Sequence, residues 1–180
     1  ATIVAMAVRD GKQSDYVEVT ITRVEPDPIT FESALGESKL YGIATGGDAE
    51  WLTVDDPSAK VGAASARSGV LVEDDDDGTQ QTSWLAAKVH GKGTLTFWWR
   101  VNCEPDPRGK YTYDYASCEV DGEFVARTDG EKDWVQISKT FDVGGDHVVR
   151  WTYLTDGWES EVAVISDANV INGTSNLVLN

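Results

Sequence analysis

The chain has 180 residues, a formal net charge of −16 and a pI near 4.3. A field of that sign excludes nucleic acid and anionic membrane surfaces as partners, and no apolar run approaches the length of a membrane span. Hydrophobic residues at 41% suffice for one sizeable core, and two cysteines with two histidines are too few for a disulfide scaffold or a zinc site.

Residues 1–23 read as two strands, 2–8 and 16–22, joined by a turn containing Asp10-Gly11, a hairpin dipeptide. A lone hairpin is marginal in water, so this piece packs on the main body or ends a preceding domain. Residues 1–9 lack the basic start and apolar block of a signal peptide, and the chain reads as a monomeric piece of a larger multidomain protein. Residues 24–30 form a linker, stiffened by Pro26 and Pro28. The main domain is expected over 31–171, and 172–180 as a polar tail. Within the main domain, 82–89, 94–101, 113–120, 123–127, 134–141 and 147–154 read as strands, separated by Gly91-Lys92-Gly93, Asp121-Gly122, Asp129-Gly130 and Gly144-Gly145. Regular strand spacing without a 3.6-residue pattern predicts an all-β antiparallel sandwich or barrel. Residues 35–68, rich in Gly, Ala, Ser and Asp, are expected as short strands and long loops.

Particular strings carry a resemblance. Gly93-Thr94-Leu95-Thr96-Phe97-Trp98-Trp99-Arg100-Val101, then Val120-Asp121-Gly122, Asp133-Trp134 and 145–153 are similar to MAM-like or concanavalin-like jelly-roll modules of large secreted bacterial proteins. The resemblance covers roughly 31–171. It implies a two-sheet jelly-roll β-sandwich, secreted or at the cell surface, set beside enzymes or adhesins as a non-catalytic accessory. It leaves the ligand open, because one fold hosts many functions. Residues 1–23 resemble the last two strands of the immunoglobulin-like modules of chitobiase-type glycosidases.

Strand alternation sorts the side chains. Leu85, Phe97, Trp99, Ala116, Cys118, Val149, Trp151 and Tyr153 fall on inward positions. Trp84, Trp98, Arg100, Tyr113, Tyr115, Glu119 and Arg150 fall outward, where an antiparallel sheet is normally polar. If the outward aromatics share one open face, they form a stacking surface for a polysaccharide or oligosaccharide, with Arg100, Glu119 and Arg150 bonding to hydroxyls. If the hairpin or a neighbouring domain covers that face, they are structural. Trp158, in the turn after 147–154, is a further ligand-contacting candidate. The leading expectation is a carbohydrate-binding module of a secreted glycan-degrading enzyme. The alternative is a protein-interaction or adhesion module of the MAM type.

Glu119-Val120-Asp121-Gly122-Glu123 matches the E-x-D-x-E pattern of laminarinase-like glycosidases, the third reading. Retaining hydrolysis needs two carboxyls about 5–5.5 Å apart, and a turn at Asp121-Gly122 breaks the strand that would align them. Asp74 to Asp77 read as a solvated acidic loop rather than a calcium loop. The jelly-roll resemblance also implies a structural Ca2+, held by Glu32 on the first strand and Asp167 on the last. No other cofactor is expected.

Overall fold

Period-two alternation broken by Gly-containing turns commits the chain to strands, as seen in a computed structural model. The structure describes residues 2–20, 28–36, 39–71, 78–110, 113–158 and 176–179. Four short strands come first: β1 (Thr2–Ala5), β2 (Val8–Arg9), β3 (Lys12–Gln13) and β4 (Val17–Thr20). They make one antiparallel hairpin, β1 with β4 and β2 with β3. Its tip is Asp10-Gly11, with φ of 51° and 72°, the primed turn geometry that follows strand twist. Side chains from Val4 to Thr20 are exposed. The hairpin therefore buries nothing of its own.

One helical turn, α1 (Phe31–Ala34), follows. Thr30 caps it: the Ser33 N–H donates to Thr30 Oγ1 at 3.2 Å, and the Thr30 N–H donates to Ser33 Oγ at 3.1 Å. Ten strands build the main body: β5 (Tyr41–Gly47), β6 (Leu52–Asp55), β7 (Ala64–Arg67), β8 (Gln81–His90), β9 (Gly93–Asn102), β10 (Tyr115–Val120), β11 (Glu123–Thr128), β12 (Lys132–Phe141), β13 (Asp146–Thr155) and β14 (Asn176–Leu179). The first sheet runs β11-β10-β13-β8-β5 and the second β12-β9-β14-β7-β6, with every pairing antiparallel. This is the expected jelly-roll sandwich.

The core lies between the sheets. The first supplies Leu85, Ala116, Cys118, Val149, Trp151 and Tyr153, and the second Ala66, Phe97, Trp99 and Leu179. Inward parity read from the sequence holds for these strands. Phe97 meets Trp99 edge-on at 5.7 Å and Trp151, from the opposite sheet, at 5.4 Å. Such pairs add about 0.5–1.5 kcal/mol each beyond area burial.

Three expectations are corrected. Residues 176–179 are not part of a polar tail: β14 sits between β9 and β7, with Leu179 only 1% exposed. The strand is only four residues long, Asn176 to Leu179, and the polar stretch before it disguised it. Glu32 is not on a first strand but on the single turn of α1, exposed. Sequence adjacency would put Cys103 and Cys118 on neighbouring strands, but β9, which ends just before Cys103, and β10 belong to different sheets, and the two cysteines form no disulfide.

Candidate functional site

The outward residues expected on one face lie on two. Trp84, Tyr115, Glu119 and Arg150 come from β8, β10 and β13 and share the outer face of the first sheet. Trp98 and Arg100 come from β9 and point outward from the second sheet, on the other side of the molecule. Parity alone cannot detect this, because it assigns in or out but not which sheet.

Register fixes the first face. One row reads Gly46, Trp84, Thr152, Ser117 and Arg127; the next reads Ala44, Ala86, Arg150, Glu119 and Phe124. The indole of Trp84 leans over Gly46, where a Cβ would lie 2.5 Å from Cζ2, so only glycine admits this ring position. The Arg150 guanidinium stacks on Trp84 at 4.7 Å from the ring centre. Two strands away Arg127 lies between Tyr115 at 5.1 Å and Phe124 at 5.3 Å. The result is two ridges, each aromatic and guanidinium together. Thr152 and the nearly buried Ser117 form a low floor between them. From β8 to β11 is three strand spacings, about 14 Å. Arg150 makes no ion pair with any described residue, and Glu119, its register partner, does not pair with it either.

Phe124 and Arg127 were missed by sequence reading. Three residues apart, they should face opposite ways, but a bulge opposite Cys118 and Glu119 inserts Val125 and turns both outward. A bulge has no reliable sequence signature.

Arg100, expected as a ligand contact, is a structural residue. Its Nη2 donates to Asp56 Oδ2 at 3.0 Å, its Nη1 donates to Ser58 Oγ at 3.1 Å, and its guanidinium lies 4.9 Å from the Trp134 ring centre. Asp56 is 5% exposed and also accepts from Ser58 Oγ at 2.6 Å and Ser65 Oγ at 2.9 Å. Burial raises the Asp56 carboxyl, but these hydrogen bonds and the Arg100 charge hold it below the usual carboxylate range. The loop carrying Asp56 and Ser58 thereby anchors to the second sheet. Trp98 is half-buried beside Lys60 and lines an apolar cleft of about 310 Å³ with Leu35, Leu40, Val61 and Phe97.

Tyr113 precedes β10, which begins at Tyr115, so strand parity does not apply to it. It accepts from Arg108 Nη2 at 2.6 Å. Trp158 is half-exposed and rests on Gly78, where a Cβ would come within 2.2 Å of Cε2. Nearby carboxylates are committed to the fold. Asp114, 1% exposed, accepts from Tyr153 Oη at 3.1 Å and from the Asp156 N–H at 3.0 Å, and burial pushes its carboxyl up. Asp106 accepts from the N–H groups of Arg108 and Lys110.

The Glu119-x-Asp121-x-Glu123 pattern is broken as expected. Asp121 and Gly122 form the β10–β11 turn, with φ of 54° and 80°. The Asp121 carboxylate is held by His147 Nδ1 at 2.7 Å and the Val148 N–H at 2.8 Å. Among the described residues no group of three His, Cys, Asp or Glu could hold a metal ion. Glu32 is exposed on α1, and its expected calcium partner Asp167, like Asp74 to Asp77, lies outside the described residues.

No family model and no curated protein matches this chain. It is similar to part of the secreted serine protease VesC from Vibrio cholerae, at 15% identity and a TM-score of 0.47, covering 86% of this chain and 26% of that one. It is similar to TmCBM61, solved with β-1,4-galactotriose, at 10% identity and a TM-score of 0.48, covering 83% of this chain and 89% of that one. It is also similar to the C-terminal family 22 carbohydrate-binding module of Clostridium thermocellum Xyn10B, at 12% identity and a TM-score of 0.40, covering 82% and 87%. The chain thus spans about a quarter of VesC and most of each module.

Proposed function

We propose that this chain is a non-catalytic carbohydrate-binding module of a secreted, modular protein, and that its binding surface is the outer face of the first sheet. The observation that carries this reading is the pair of aromatic and guanidinium ridges flanking the Ser117 and Thr152 floor. A sugar ring presents an apolar C–H face and a rim of hydroxyls. Trp84, Tyr115 and Phe124 match the first, and Arg150, Glu119 and Ser117 match the second. The approximately 14 Å across the face from β8 to β11 admits a chain of sugars rather than a single ring.

Affinity electrophoresis against soluble polysaccharides tests it. Removing one stacked ring should weaken binding tenfold to hundredfold, on the order of 1–3 kcal/mol by analogy with base stacking. Trp84→Ala should show that loss with the melting temperature preserved. Gly46→Val, which displaces the indole without removing it, should reproduce it. Retention unchanged in both variants would move the site off this face. A wild type that ignores every glycan would leave the MAM-type protein-interaction reading in its place.

A further inference from the structure

We infer that His147 is a proton-operated latch: as an imidazolium it ties the β12–β13 loop to the β10–β11 turn, and its deprotonation releases that loop. Both ring nitrogens are engaged. Nδ1 lies 2.7 Å from Asp121 Oδ2, and Nε2 lies 3.0 Å from the Val143 carbonyl oxygen. A backbone carbonyl only accepts, and so does an ionised carboxylate. Two acceptors need two N–H groups, and only the doubly protonated ring carries them. The His147 side chain is 12% exposed and its ring stacks on Phe141 at 4.5 Å, so water has little access to replace either partner. The ring thereby joins three segments: the turn at Asp121, the loop at Val143 and β13 itself.

The groups around the ring fix the direction of its titration. Asp121 comes from the turn and Asp146 from its own strand, while β12 supplies the uncharged Phe141 and β8 places Val89 in register beside it. Asp146 is itself bonded to His90 and Tyr41, with Lys88 near it, and Asp142 stands in the loop next to Val143. The hydrogen bond to Asp121, then the one to Val143, then the two carboxylate charges raise the imidazole above the usual histidine range, against the burial that lowers it. A group raised on folding contributes most when protonated. The latch is therefore whole at mildly acidic pH and is lost as the pH rises through the folded value. Asp121 is shifted the other way, so acid opens the latch only as the pH falls through its depressed value. A neutral ring keeps one N–H. Asp121, the closer and charged acceptor, retains it, which leaves the Nε2 lone pair facing the Val143 oxygen. Val143 is 68% exposed, so little packing opposes its departure. Gly145, whose carbonyl accepts from the Gly91 N–H at 2.7 Å, keeps the far end of the loop tied.

Nitrogen-15 NMR of the whole chain, titrated from about pH 5 to about pH 10, tests this. The sequence holds two histidines, and His90→Gln assigns their signals. At the acidic end both ring nitrogens of His147 should be protonated, and the midpoint should lie above about 6.5, the ordinary histidine value. The heteronuclear NOE of the Val143 and Gly144 amides should fall with that same midpoint as the loop gains fast motion. Asp121→Asn keeps the turn, because Asn tolerates a φ of 54°, and keeps an oxygen for the Val148 N–H. It removes the charge, so the ring midpoint should drop and the loop transition should drop with it. In His147→Gln the loop should no longer titrate in this window. A His147 midpoint at or below about 6.5, or one ring nitrogen unprotonated at the acidic end, overturns the imidazolium tie. Loop motion that ignores the ring midpoint, or that titrates unchanged in His147→Gln, overturns the release. The wild type alone supplies the ring midpoint and the loop response, so a variant that fails to fold leaves the test standing.

Discussion

Asp56→Ala tests the division of the molecule into a binding sheet and a structural one. The substitution withdraws one acceptor from several donors at once. Ser65 Oγ, on a fully buried residue, loses its partner at 2.9 Å. A buried hydroxyl left unsatisfied costs about 1–3 kcal/mol. Arg100 loses its ion pair at 3.0 Å. Breaking a fully buried pair from one side costs about 3–5 kcal/mol, but the Arg100 side chain is 37% exposed, so water recovers part of that. A combined loss of about 2–4 kcal/mol follows, lowering the Tm by roughly 5–15 °C for a domain of this size. Calorimetry at neutral pH measures it, with glycan affinity followed in parallel and expected to be unchanged below the transition. Acid supplies a second readout. The folded Asp56 carboxyl titrates below its unfolded value, so its contribution is present at neutral pH and is lost as the pH falls through the depressed value. The gap between wild type and variant should close in acid. An unshifted Tm, or weaker glycan binding at an unshifted Tm, would refute the assignment and return Arg100 to the ligand site.

Two further outcomes are expected. Trp99→Ala, a truncation at a 2% exposed site, should cost about 3–5 kcal/mol in denaturant titration, whereas Trp98→Ala should leave both the fold and glycan affinity in place; a fold lost only on the latter would invert the parity of β9. Thiol titration of the native protein near neutral pH should find at most one reactive cysteine and two after denaturation, because burial first and Glu119 second push the buried Cys118 thiol up to about 12. Two fast-reacting native thiols would contradict the packing of β10, and none after denaturation would mean a disulfide.

What the sequence made legible was whatever depends on one strand at a time. The inward positions of 82–90, 93–102 and 146–155 follow from alternation, and they are the core. The turns at Asp10-Gly11 and Asp121-Gly122 follow from residues that tolerate positive φ. What stayed hidden depends on two strands together. β9 and β10 are separated by only a loop in sequence, yet the chain changes sheet between them, which separated Trp98 from Tyr115. The bulge in β11 hid Phe124 and Arg127. β14 was hidden by its length, since four residues cannot display a period.

Arg100 and Arg150 show why partner geometry, and not residue type, locates the site. Each lies on an outward strand position beside an inward Trp, and each guanidinium stacks on a Trp ring, at 4.9 Å from Trp134 and 4.7 Å from Trp84. By composition, parity and stacking they are equivalent. The difference is Asp56, delivered to Arg100 by a loop that crosses the second sheet and itself fixed by Ser58 and Ser65. A guanidinium whose N–H groups are spent on a buried carboxylate has none to offer a ligand without breaking that node, whereas the fork of Arg150 is already oriented by its ring and has no such commitment among the described residues. Pre-positioning without prior occupation is what a binding residue requires, and it separates the two arginines: Arg100 is committed to its own loop, and Arg150 is the one the proposed binding face can use.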